Sequence, residues 1–239
     1  MTKSTAGEGK LNPVGVREAI LISVILDRSG SMAAVREPTI KGFNDFVDEQ
    51  RKQKDGGKAL MSLTQFDDRF EVNFTGEPIE NVPELDTNSY VPRGMTALHD
   101  AIGRTVRKLE AWTRDHAWKA RVLVLIVTDG HENASKEFTF DTTAALIEQK
   151  EKDGWNFAYM GANQDSYAVS GAMNVRSGYQ ANFDATTTGT ARAYSRMAAG
   201  VAQFRSQPAR GAAAPAIFDP ADDPKEADPK VGKLVPKNG

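Results

Sequence analysis

Apolar positions along the chain fall into two alternating patterns. Continuous apolar, β-branched runs over 19–26 and 121–127 read as strands buried on both faces. Between them Ile40, Phe43, Phe46 and Val47 share one helical face, so a helix is expected from about 36 to 52, with Pro38 tolerated in its first turn. Strands are expected over 59–66 and 69–74, joined through Asp67-Asp68. So short a link predicts a hairpin, with the second strand antiparallel at the sheet edge. Leu98, Ala101, Ile102, Val106 and Leu109 mark a second helix, for which Thr96 is placed as N-cap or just inside the first turn. Further on, helices are expected over 141–152, 165–173 and 188–204, and strands over 155–160 and 179–183. Trp112, Trp118 and Trp155 are expected to fill space between helices and sheet.

The alternation of strand and helix predicts an α/β fold. Its sheet is doubly wound and mostly parallel, with one antiparallel edge strand and helices on both faces. Residues 76–95 carry prolines and little periodicity and read as a long surface loop. The expected organisation is a flexible lead-in over 1–15 and one folded domain over 16–206. A disordered tail follows over 207–239, where Pro, Ala and mixed charge offer too little apolar surface to offset chain entropy.

Composition narrows the function classes. The 239 residues suffice for one sizeable domain. A net charge of −2 gives no overall pull toward nucleic acid or anionic membrane, and the alternating charges of the tail read as a solvated linker. The absence of cysteine removes thiolate zinc sites, disulfides and cysteine nucleophiles. The N-terminus lacks a secretory pattern and no apolar run is long enough to span a bilayer, so a cytoplasmic protein is expected.

The candidate chemistry sits at strand ends. Asp27, Ser29 and Ser31 follow the first strand, Thr96 precedes the second helix, and Asp129 ends the strand over 121–127. In an open α/β sheet, ligands bind in the crevice beyond the carboxyl ends of the strands. These are all hard oxygen donors, the set that suits Mg²⁺ or Mn²⁺. Two carboxylates would roughly neutralise such an ion and leave a position that favours an acidic group from outside. Taken singly, Asp27, Ser29 and Ser31 read equally as turn and capping residues, and Thr96 as a helix cap.

The combination resembles the von Willebrand factor A-type (VWA) domain and its metal-ion-dependent adhesion site, or MIDAS. The match lies in Asp-x-Ser-x-Ser after the first strand, then Thr96, then Asp129-Gly130. Phe66-Asp67-Asp68 and the run from Arg93 to Ile102 are similar as well, and the resemblance spans 19–205. It implies a Rossmann-like fold, with Mg²⁺ or Mn²⁺ held by Asp27, Ser29, Ser31, Thr96 and Asp129. It also implies a protein partner that supplies an Asp or Glu carboxylate, and no catalysis. The chain looks most like small stand-alone bacterial or phage members, for which a virion-associated location is an alternative to the cytoplasm.

A metal-dependent protein-binding module is therefore the leading expectation. The alternatives are an assembly component of a larger complex or phage particle, or an accessory to a separate ATPase. An aspartate-based phosphatase is disfavoured, since Ser29 stands where that chemistry wants a second aspartate, and no phosphate-cradling glycine loop is present. Around the site, His99 is expected to cover a helix face. His131 and Glu132 are expected to be solvated loop residues, Glu132 alternatively supporting Asp129. Asp67 and Asp68 read as a polar hairpin turn, and Asn163 and Asp165 as either a helix cap or part of a partner surface.

Overall fold

The computed structural model describes residues 17–54, 57–116, 118–162, 166–176, 178–207 and 215–218. The lead-in over 1–15, Asn163, Asp165 and most of 207–239 lie outside this set, as does the side chain of Trp118. The strands are β1 (Arg17–Asp27), β2 (Ala59–Phe66), β3 (Phe70–Pro78), β4 (Trp118–Thr128), β5 (Asn156–Ala162) and β6 (Gln180–Phe183). The helices are α1 (Arg36–Lys52), α2 (Leu98–Asp115), α3 (Phe140–Lys152), α4 (Ser166–Ala172) and α5 (Thr187–Ser206). Among the described residues no helix is long and apolar enough to cross a membrane.

The strands form one six-stranded sheet in the order β3-β2-β1-β4-β5-β6. Every neighbouring pair is parallel except β2–β3, the antiparallel edge hairpin expected from the short Asp67-Asp68 link. The apolar runs of β1 and β4 lie side by side at the centre, where Leu21, Ile22, Val24, Leu123 and Ile126 are fully buried. Helices α1 and α5 pack against one another, α2 packs on α3, and α4 covers β5 and β6. The arrangement is the mostly parallel α/β fold expected, with helices sheltering the apolar central strands.

Strand order reverses between β1 and β4, because β2 lies on one side of β1 and β4 on the other. Such a switch point opens a crevice at the strand ends. The register that pairs Leu26 with Val127 brings Asp27 and Thr128 side by side at that crevice.

Two segments depart from expectation. The first is 76–95, read as a surface loop. Strand β3 continues to Pro78 across a register shift at Gly76, whose positive φ of 67° suits glycine and whose missing side chain leaves room for the Trp112 ring. The rest of the segment is pinned by Ile79, Val82, Leu85 and Tyr90, all buried in the core. Pro83 within this stretch and Pro92 just after it argue against a regular element, so no pattern announced them. The second is the tail. Ile217 and Phe218 are 2% exposed and belong to the core, so a disordered tail does not describe 215–218. Phe218 donates its N–H to the Gly178 carbonyl, and the Tyr179 hydroxyl donates to the Pro215 carbonyl. Gly200 of α5 admits the segment, since a Cβ there would collide with the Ile217 main chain.

Candidate functional site

Asp27 ends β1 with its side chain fully buried. One carboxylate oxygen accepts the Ser29 N–H at 2.6 Å and the other the Thr128 hydroxyl at 2.6 Å. Its carbonyl accepts the hydroxyl of the buried Tyr90 at 2.6 Å. These bonds fix the carboxylate at the mouth of the β1–β4 crevice. Burial pushes its pKa up to about 6 against those hydrogen bonds, with the nearby Asp129 charge adding to the rise.

After Asp27 the chain enters a 3₁₀ turn, Gly30–Val35, before α1. Ser29 stands at the cap position of that turn, yet its side chain caps nothing. Its hydroxyl lies 3.1 Å from the Ser31 hydroxyl, and Ser31 donates to Asp129 Oδ1 at 2.6 Å. Asp129 follows β4 and is partly buried, which raises its pKa above the usual carboxylate range.

Thr96 does not cap α2, contrary to expectation. The helix starts at Leu98, and the position before it, Ala97, makes no side-chain cap. The cap comes from the loop after β4: the Glu132 carboxylate accepts the His99 N–H at 3.0 Å, and the Ser135 hydroxyl accepts the Asp100 N–H at 3.1 Å. Glu132 also accepts the N–H groups of Ala134 and Ser135, so it is a half-buried staple rather than a solvated charge. With the capping supplied from elsewhere, the Thr96 hydroxyl is free to face the crevice.

The convergence of the site is visible at Gly130. A Cβ on Gly130 would lie 2.6 Å from Thr96 Oγ1, 3.4 Å from Asp27 Oδ2 and 3.4 Å from Ser29 Oγ. Oxygens from the loop after β1 and the loop before α2 therefore surround one point on the loop after β4, which only a glycine leaves open. Ser31 and Asp129 join this group through the hydroxyl contacts given above. Among the described residues no cluster of three or more His, Cys, Asp or Glu forms a metal site. A cation here would rely on hydroxyl oxygens beside two carboxylates, the donor chemistry of a hard divalent ion. The five residues named from the sequence are thus brought to one place, and their chemistry fits such an ion.

Sequence reading missed the residues that hold the loops together. Asp67 lies in the hairpin turn as expected, but its side chain is fully buried. Its carboxylate accepts Arg28 Nε at 3.0 Å and Arg93 Nε at 2.9 Å, tying the Asp27 loop to the Thr96 loop. Gly30 N–H donates to the Gly94 carbonyl at 3.2 Å and Ala97 N–H to the Asp67 carbonyl at 3.0 Å. Asn133 accepts the Thr96 N–H on its side chain and donates its own N–H to the Thr96 carbonyl. Asp100 accepts the N–H groups of Lys136, Glu137 and Phe138. His99 is buried with its ring edge-on to Phe140, as a helix-face residue, and His131 is exposed. Trp112 and Trp155 pack at the margin of the core.

No protein-family model matches the chain, and no curated protein matches it in sequence. Solved structures do. Proximal thread matrix protein 1 from the mussel byssus, with a zinc-occupied MIDAS motif, aligns at TM-score 0.56 and 17% identity, over 77% of this chain and 46% of that one. A von Willebrand factor type A protein from Catenulispora acidiphila aligns at 0.55 and 15%, over 78% of this chain and 43% of that one. Manganese-loaded TRAP protein from Plasmodium vivax aligns at 0.51 and 15%, over 73% and 71%. The chain spans less than half the length of the mussel and Catenulispora proteins. At these identities the likeness speaks to architecture, and the described domain has the Rossmann-like fold of the VWA domain.

Proposed function

We propose that the chain is a metal-ion-dependent protein-binding module that engages an acidic group of its partner. The observation that carries this reading is the convergence of Thr96 Oγ1, Asp27 Oδ2 and Ser29 Oγ on the space beside Gly130. Asp27, Ser29, Ser31, Thr96 and Asp129 would hold a divalent cation, Mg²⁺ or Mn²⁺. The ion would supply positive charge and a coordination position for a carboxylate of the partner. Asp27 is oriented from three sides by Ser29, Thr128 and Tyr90. The loops of Asp27 and Thr96 are locked by Asp67, so the donors are pre-arranged and little ordering is left to occur on binding. The zinc-occupied mussel protein, the manganese-loaded TRAP protein and a Lactobacillus rhamnosus pilus adhesin at TM-score 0.60 and 13% identity support the reading by analogy.

The test is affinity capture from the host lysate in Mg²⁺ and in EDTA, with mass spectrometry as readout. A protein held in Mg²⁺, released by EDTA and absent with Asp27→Ala supports the reading. A partner retained equally in EDTA contradicts it and favours an assembly role through another surface.

A further inference from the structure

Beside the candidate metal site lies a second feature that the metal reading leaves unused. A cavity of about 270 Å³ opens between the β2–β3 hairpin, the start of α2 and the loop after β4. Phe66, Phe70, Ala97 and Ala101 form its apolar walls, and Met95 stands at its rim. Met95 is 55% exposed, although it precedes the buried Thr96. Methionine is flexible and polarizable, and suits a surface that must adapt to a visiting side chain. The cavity falls below the ~300–1,000 Å³ of small-molecule sites and is the size for one large side chain.

The charges around this cavity are unbalanced toward the positive. Asp100 is occupied by three main-chain N–H groups and by Arg104, and Arg104 is in turn paired with Glu137. Arg69 and Lys136, both exposed, make no ion pair among the described residues. They outweigh Asp68, the remaining acid of the lining. The cavity and the site share a loop, since the cavity lining includes the residues on either side of Thr96. Met95 and Ala97 flank Thr96 in sequence, and the Gly94 carbonyl accepts the Gly30 N–H of the Asp27 loop.

We propose that this cavity is a specificity pocket for an acidic partner segment, taking an apolar side chain that lies within two residues of the carboxylate offered to the metal site. The proposal rests on the metal-dependent reading above and adds the sequence character of the partner. The carboxylate provides an anchor common to all such ligands. The apolar neighbour under Met95 distinguishes one ligand from another, and further acids on the segment meet Arg69 and Lys136.

The test uses a position-scanning library of synthetic hexapeptides, each with a single fixed glutamate, presented to the full chain in Mn²⁺ and in EDTA. The expected result is enrichment of Leu, Met or Phe at one position within two of the glutamate, in Mn²⁺ only. The best peptide should bind roughly tenfold tighter than its glycine-substituted version, as burial of one apolar side chain allows. Met95→Ala should erase most of that advantage, and Lys136→Glu should weaken peptides carrying a second acid. Equal binding of the apolar and glycine peptides overturns the pocket, as does a library that yields no binder. So does an apolar preference that persists unchanged in EDTA, since the pocket would then act apart from the metal site. Calorimetric titration of Mn²⁺ alone separates the two readings. Mn²⁺ binding without an apolar preference overturns only the pocket, whereas no Mn²⁺ binding to the wild type overturns the metal reading with it.

Discussion

Asp67 Oδ2 receives Arg28 Nε at 3.0 Å, and neither side chain is more than 5% exposed. Arg93 Nε reaches the same oxygen at 2.9 Å from the loop that carries Thr96. A buried carboxylate thus joins the two loops whose hydroxyls and carboxylates must meet. Removing one partner of a buried ion pair leaves the other charge uncompensated, at a cost of about 3–5 kcal/mol. Glu71 retains part of the Arg28 charge at 2.7 Å, which places Asp67→Ala near the lower end, at about 3 kcal/mol by urea denaturation. Glu71→Gln, at an exposed carboxylate, should cost less than about 1 kcal/mol. Equal effects of the two substitutions would contradict the role assigned to Asp67.

The raised pKa of Asp27 makes a pH prediction for the metal-free protein. Burial gives the folded state a pKa of about 6 where the ordinary value is 3.8. Between those values the folded state binds more protons than the unfolded one, so stability rises as pH falls through about 6. Relative to Asp27→Asn, the wild type in EDTA should gain about 1 kcal/mol between pH 7 and pH 5. Chemical denaturation at the two pH values measures the difference, and an opposite sign contradicts the environment described for this carboxylate.

The segment 215–218 should contribute to stability out of proportion to its length. Phe218 is 2% exposed, and Ile217 beside it packs on α5 at Gly200. Phe218→Ala should destabilise by about 3 kcal/mol, near the low end of large-to-small aromatic substitutions in cores. Truncation after Gln207 should do at least as much. Thermal unfolding that is unchanged by either would place this segment outside the folded unit.

The sheet was legible because its signal is local. The short, β-branched apolar runs of β1 and β4 read as buried strands, and the short Asp67-Asp68 link suggested a hairpin. Asp27, Ser29, Ser31, Thr96 and Asp129 stood out because each sits at the end or start of such an element. What escaped the reading is non-local. Thr96 looked like a cap because caps are sought among adjacent residues, whereas the partners of the first turn of α2, Glu132 and Ser135, come from the far side of β4. Asp67 read only as a hairpin-turn residue because its partners Arg28 and Arg93 lie far away along the chain. Tyr90, Ile217 and Phe218 belong to short apolar stretches in Pro-rich or polar surroundings, and the surfaces that bury them exist only once the sheet and α5 have assembled.

The central claim is that oxygens from three loops enclose a cation beside Gly130, and Mn²⁺ titration of the wild type and Gly130→Ala tests it most directly. Gly130 does not adopt a positive φ, so alanine costs little in the backbone, while its methyl group would stand 2.6 Å from Thr96 Oγ1 and 3.4 Å from Asp27 Oδ2. Calorimetry should find one Mn²⁺ site in the wild type, and at least a tenfold loss of affinity in a Gly130→Ala protein whose circular dichroism is unchanged. Equal Mn²⁺ affinity in the two proteins, or none in the wild type, would contradict the account.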